Sequence, residues 1–115
     1  MERAQRLRKG TTFDTVYQKG TVTSGPLLAL RRLPNGEPCS RWGFAVGKRL
    51  WKHAVARNRI KRRLKEAARS LPVVPGFDFI VTARAGAGDA SFQDLRAALE
   101  RLLRRSHALV DEDPK

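Results

Sequence analysis

The side chains able to do chemistry in this 115-residue chain are mostly cations, and they are concentrated in one stretch. Residues 48–69 (KRLWKHAVARNRIKRRLKEAAR) hold ten Lys or Arg against the single Glu66, so they supply nine of the thirteen net positive charges. Guanidinium forks and ammonium groups at this density bind phosphates. They do not by themselves break bonds. The groups that do are sparse. His53 and His107 stand far apart with no acidic or cysteine cluster at ligand spacing, which disfavours a zinc site. Cys39 is the only cysteine, so an intrachain disulfide is excluded, and a small half-buried residue near a turn fits it better than a nucleophile. GFAVGKR at 43–49 has the flavour of a phosphate-binding loop. Three residues rather than four separate its glycines, however, and Arg49 stands where Ser or Thr should bind magnesium. No nucleophile, base and orienting group announce a hydrolase.

A helix must position the cations. From Ala54 onward Ala56, Ile60, Leu64, Ala67 and Ala68 recur at helical spacing and make one apolar stripe. Stepping ~100° per residue from Ile60 gathers Asn58, Lys61, Arg62, Lys65 and Arg69 on the opposite face. Arg59 and Arg63 fall on one flank, and Arg57 lies at the margin of the stripe. A solvated basic surface is the plain alternative reading. Acidic partners at i,i+4 are nearly absent, so the self-repulsion calls for a polyanion to supply counter-charge.

The rest of the chain gives this helix a scaffold. Residues 1–10 read as a basic arm anchored only by Leu7. Thr11 or Thr12 opens a short helix closed by Gly20, with Phe13, Val16 and Tyr17 on one face. Gly25 and Pro26 separate two extended pieces, and 41–46 forms a further strand with Trp42, Phe44 and Val46 alternating. Asn35-Gly36 marks a turn, and the strands on either side of it are expected to pair antiparallel. Pro72, Pro75 and Gly76 stop the basic helix, FDFIVTAR (77–84) makes another strand, and Gly86 and Gly88 end it in a loop. Ser91 and Asp94 begin a last helix with a Phe92, Leu95, Leu99 and Leu102 stripe, Leu103 at its margin, and Arg96, Arg101, Arg104 and Arg105 outward. An acidic tail, 110–115, is expected to fray. The order α-β-β-β-α-β-α describes one α+β domain over 1–115, with a sheet covered on one side.

Composition narrows the partners. A net charge of +13 points to a polyanion, with nucleic acid ahead of a membrane surface, because the basic helix lacks large aromatic anchors. No apolar run is long enough to span a bilayer and no signal sequence follows the charged start, so a cytoplasmic location is expected. Nothing indicates an obligate protein partner.

Phe13-x-x-Val16-Tyr17-x-x-Gly20, the run from Gly43 to Arg49, and above all AVARNRIKRRL at 54–64 together resemble the protein component of bacterial ribonuclease P. The resemblance covers 6–103. It implies a two-layer α/β sandwich similar to the second domain of a small-subunit ribosomal protein, with the basic helix as a left-handed βαβ crossover, against the usual right-handed rule. It further implies a protein that binds a large catalytic RNA and the 5′ leader of precursor tRNA. The RNA and its Mg2+ ions would cut the phosphodiester to free the mature tRNA 5′ end. On this resemblance Lys48, Arg49, Arg57, Asn58, Arg59, Lys61, Arg62 and Lys65 face RNA, and Phe13, Tyr17 and Arg31 line a leader cleft between the first helix and the sheet. Arg31 stands where some relatives offer a tyrosine, so leader contact there is expected to be ionic rather than stacked.

The physics suits those roles. Folded RNA hides its base edges in a deep groove and is gripped through phosphate and 2′-hydroxyl groups, whereas single strands expose faces on which aromatics stack. Two other readings stand beside this one. A structural RNA-binding protein such as a ribosomal one would bury Phe13 and Tyr17 as core, and an independent nuclease would need an acid cluster for its metal.

Overall fold

The computed structural model describes residues 6–7 and 11–110. Except for Arg6, Leu7 and Val110, the basic arm and the acidic tail lie outside the described residues. The chain runs α1 (Thr11–Lys19), β1 (Thr21–Ser24), β2 (Leu28–Pro34), β3 (Arg41–Ala45), α2 (Ala54–Arg69), β4 (Phe77–Ala83), a 3-10 helix (Ala85–Asp89) and α3 (Phe92–Arg105). This is the expected α-β-β-β-α-β-α order, with one turn of 3-10 helix where a plain loop was read.

The four strands form one sheet in the order β1-β2-β4-β3. The expected antiparallel pairing of β2 with β3 is therefore wrong: β4 lies between them, antiparallel to β2 and parallel to β3. The reason lies in burial. Phe79, Ile80 and Val81 in β4 are consecutive and wholly buried, the mark of a strand covered on both faces. A strand of that kind belongs in the middle of the sheet. Parallel neighbours need a long crossover, and α2 provides it between β3 and β4.

Successive residues of a strand point to opposite faces, and the apolar clusters divide accordingly. Leu28, Leu30, Trp42, Phe79 and Val81 pack with α2 and α3 through Ile60, Leu64, Leu95, Leu99 and Leu102. On the other face Ile80 packs with Val16 of α1 and with Leu7, and Phe13, Leu33 and Ala45 lie against them. The sheet is thus covered on one side by two helices and partly on the other by α1, where the sequence had suggested a single covered side.

Local chemistry sets the ends of the elements. The Ser91 hydroxyl accepts the Asp94 N–H at 3.0 Å, so the expected cap opens α3. Gly20 closes α1 for a different reason from a left-handed turn. A Cβ there would sit 2.6 Å from the Val16 carbonyl and 3.0 Å from that of Arg32, so only glycine lets the chain pass against β2. After α3, the Ala108 N–H returns to the Leu103 carbonyl at 2.8 Å, and His107 holds φ 59°, a backbone region that favours glycine. His107→Gly is expected to raise stability by about 0.5–1 kcal/mol, measured as a shift of the denaturant midpoint. Beyond it the segment is tied down, since the Val110 N–H donates to the Pro72 carbonyl at 2.8 Å.

One polar network was not anticipated. Asp78 is buried on β4 and receives Arg41 Nε at 2.8 Å, Arg41 Nη2 at 2.9 Å and Asn35 Nδ2 at 2.8 Å. Its hydrogen bond to Asp78 raises the Arg41 pKa above its ordinary value, even though burial opposes this. Asn35 Nδ2 also reaches the Cys39 carbonyl, and Gly36 takes φ 70° beside it. The Asn35-Gly36 turn is therefore real, but it carries the chain past β4 instead of folding β3 onto β2. Cys39 is half-buried next to it, as its sequence position suggested.

Candidate nucleic-acid interface

Two helices, α1 and α2, bring candidate site residues to β3, an edge strand of the sheet. The α2 stripe of Ile60, Leu64, Ala67 and Ala68 is buried as its periodicity requires. That anchoring fixes where each cation points. Asn58, Arg59 and Arg62 are exposed, whereas Lys61 and Lys65, one turn apart, are only half-exposed. Those two lysines line a groove along the outer edge of β3 together with Arg6, Leu7, Phe13, Trp42, Gly43 and Phe44. At about 220 Å³ it falls below the ~300–1,000 Å³ usual for small-molecule pockets, and it lies open to solvent. An extended, charged chain fits such a groove better than a compact ligand does.

Phe13 forms the other wall. Its ring lies against Gly43, where a Cβ would come within 2.9 Å of it, so the glycine read as part of a failed phosphate loop instead makes room for the aromatic ring. Phe13 is half-buried, and Tyr17 one turn on is 44% exposed. Their rings lie 6.4 Å apart and nearly parallel, at 13°. The Arg31 guanidinium carbon sits 3.9 Å from the centre of the Tyr17 ring, a cation–π contact. The Arg31 Nε is buried and makes no hydrogen bond within the protein. The three residues expected to meet a leader are therefore neighbours; Tyr17 is exposed, whereas Phe13 also packs on the Leu7, Val16 and Ile80 cluster. The groove also takes in Lys61 and Lys65, which the sequence reading had placed with the RNA-facing set. Helical spacing gave their common face, but not the element opposite it.

The remaining cations separate by partner. Among the described residues, Lys48, Arg49, Arg59, Lys61, Arg62 and Lys65 make no ion pair. Glu66 is taken by Arg69 at 2.9 Å, and Glu100 by Arg104 at 2.8 Å and Arg96 at 3.5 Å. The acids thus neutralise charge elsewhere. The first turn of α2 holds no acidic residue and its His53 N-cap makes no side-chain cap, so the helix dipole adds to the positive field there. Arg57 and Arg63 turn inward. Arg63 Nη1 donates to the Ala90 carbonyl at 3.1 Å, and Arg57 Nη1 donates to the carbonyls of Trp51 and Lys52. No three His, Cys, Asp or Glu side chains among the described residues converge as metal ligands would. No described helix is long and apolar enough to cross a membrane.

An α+β sandwich with an unneutralised basic crossover helix beside an aromatic groove defines an RNA-binding protein. A family model described as Ribonuclease P matches residues 1–107, and the chain belongs to that family. The Ribonuclease P protein component of Roseiflexus castenholzii is 41% identical over 120 residues, covering 99% of this chain and 98% of the relative. That of Xanthomonas campestris is also 41% identical, over 93% of this chain and 72% of its own length. Among solved structures, a mutant RNase P protein from Staphylococcus aureus superposes with a TM-score of 0.85 at 31% identity, covering 95% of this chain and 93% of its own. The RNase P protein from Thermotoga maritima gives 0.79 at 27% identity, over 87% and 96%.

Proposed function

We propose that this chain is the protein subunit of a cytoplasmic ribonuclease P, binding the catalytic RNA through α2 and the 47–53 loop. The 5′ leader of precursor tRNA lies along Phe13, Tyr17 and Arg31, with Lys61 and Lys65 beside its backbone. The observation that carries this reading is the aromatic pair of α1, with Tyr17 exposed beneath the Arg31 guanidinium and Phe13 walling the groove that holds Lys61 and Lys65. Stacking on rings grips any base, and lysines grip any phosphate, so such a groove accepts leaders of many sequences. Asn58, Arg59 and Arg62 are exposed on α2 and can meet phosphates and 2′-hydroxyls of the folded RNA.

Cleavage of the phosphodiester is assigned to the RNA component. The described side chains do not fit a protein-held Mg2+ site, and we place those ions on RNA phosphates and water. The protein contributes by holding the leader against the RNA, which makes the cleavage site part of one complex and orients it.

Tyr17 offers a direct test, because its exposure separates stacking from packing. In the reconstituted complex, Tyr17→Ala is expected to weaken binding of leader-bearing precursor tRNA by about 1–3 kcal/mol and to leave mature tRNA, which has no leader, unchanged. The protein without RNA should leave both uncut. Equal losses for the two tRNAs, with a lowered melting temperature, would instead favour a structural RNA-binding role in which the ring is packing.

A further inference from the structure

Residues 47–53 have no place in a strand or helix, yet they carry Lys48, Arg49 and Lys52, all exposed, within five positions. Three such cations repel one another, and a loop without ladder bonds would spread over many conformations. Two contacts oppose that. Arg57 Nη1 donates to the carbonyls of Trp51 at 2.8 Å and Lys52 at 2.9 Å, so one nitrogen holds two successive peptide groups. The Trp51 side chain packs against the main core, and its indole covers Gly88 of the 3-10 helix so closely that a Cβ there would lie 2.5 Å from Nε1. Within the loop, the Trp51 N–H also closes on the Gly47 carbonyl at 3.2 Å.

We propose that Arg57 is a positioning residue: with Trp51 as anchor it holds 47–53 as a preformed ridge that presents Lys48, Arg49 and Lys52 to the phosphates of the catalytic RNA. The proposal rests on the RNA-binding reading above and changes the part played by one of its residues. A guanidinium aimed at two carbonyls of its own chain acts on RNA through the cations it places. The ordering of the ridge is then met during folding rather than on binding, which is how preorganisation raises affinity. Leu50, half exposed on the same ridge, leaves no apolar anchor other than Trp51 within the loop.

The test uses two variants, so that a folding failure of one does not end it. Arg57→Ala removes the clamp, and Gly88→Ala displaces the Trp51 anchor without touching a cation. In the free proteins, trypsin cleavage after Lys48, Arg49 and Lys52, followed by mass spectrometry, should accelerate several-fold in both while the thermal melt stays cooperative. Each variant should weaken binding to the catalytic RNA by roughly tenfold. In a background carrying Lys48→Ala, Arg49→Ala and Lys52→Ala, the further loss should shrink below about twofold, since positioned groups no longer exist to be misplaced. A full, additive loss from Arg57→Ala in that background would show that Arg57 meets the RNA itself and overturn the proposal. Unchanged cleavage would overturn it too, because then nothing is being held. Faster cleavage with RNA affinity unaltered in every background, the triple variant included, would reject the ridge as an RNA surface and so place the failure in the RNA-binding reading.

Discussion

Affinity of the protein for the catalytic RNA is expected to fall about a thousandfold or more between 50 and 200 mM monovalent salt. The magnitude follows from counterion release, for which roughly six to ten phosphate contacts give a loss of ~10³–10⁵ over that range. Among the described residues Lys48, Arg49, Lys52, Arg59, Lys61, Arg62 and Lys65 are cations of this region that make no ion pair. Neutralisation from within the protein would have weakened the effect. Here the pairs formed by Glu66 and Glu100 engage other arginines. Filter-binding titrations across that salt range measure the slope directly. Arg59→Ala and Arg62→Ala should each make it shallower by about one contact. A nearly flat dependence would mean that the basic face of α2 does not meet RNA.

Removing the carboxylate of Asp78 should have the largest effect on folding. Asp78→Ala leaves the Arg41 guanidinium partly buried without its two hydrogen bonds and frees Asn35 Nδ2 from the same oxygen. Breaking one member of a buried pair typically costs ~3–5 kcal/mol. Arg41 retains some access to solvent, its side chain being 28% exposed, which argues for about 3 kcal/mol. Chemical denaturation of the purified variant gives the number. The loss should exceed that of Glu66→Ala, whose pair with Arg69 is exposed on both sides and is worth at most ~1 kcal/mol. Equal effects of the two substitutions would show that the Asp78 network does not hold the 35–40 segment across β4.

These two predictions also mark where the sequence suffices and where it does not. Charge and periodicity are properties of neighbours along the chain, so the basic helix, its buried Ile60–Leu64 stripe, the Ser91 cap and the α-β-β-β-α-β-α order follow from reading residues a few positions apart. The aromatic pair at Phe13 and Tyr17 was visible in the same way, because i and i+4 share a helix face. Whether those rings were core or cleft was not, since that depends on what lies opposite them. Arg31 on β2 lies over the exposed Tyr17, Gly43 on β3 seats the half-buried Phe13, and no spacing rule connects either strand to α1.

Strand order likewise escaped local reading. Asn35-Gly36 signals a turn wherever it occurs, but the partner chosen after the turn depends on which strand is apolar on both faces, and β4 comes more than thirty residues later. A cationic helix on an α+β scaffold follows from the order of the amino acids alone, because helical spacing and charge density are read from residues close together in the chain. How those cations are divided depends on the folded chain. Lys61 and Lys65 turn to the groove because β3 passes beside them. Arg57 and Arg63 turn inward because the carbonyls of Trp51, Lys52 and Ala90 are brought within reach, and Asp78 is buried because Arg41 on β3 and Asn35 just past β2 meet it from the two strands flanking β4. Hydrogen bonds between distant residues fix each of these, and such bonds leave no periodic trace in the order of the amino acids.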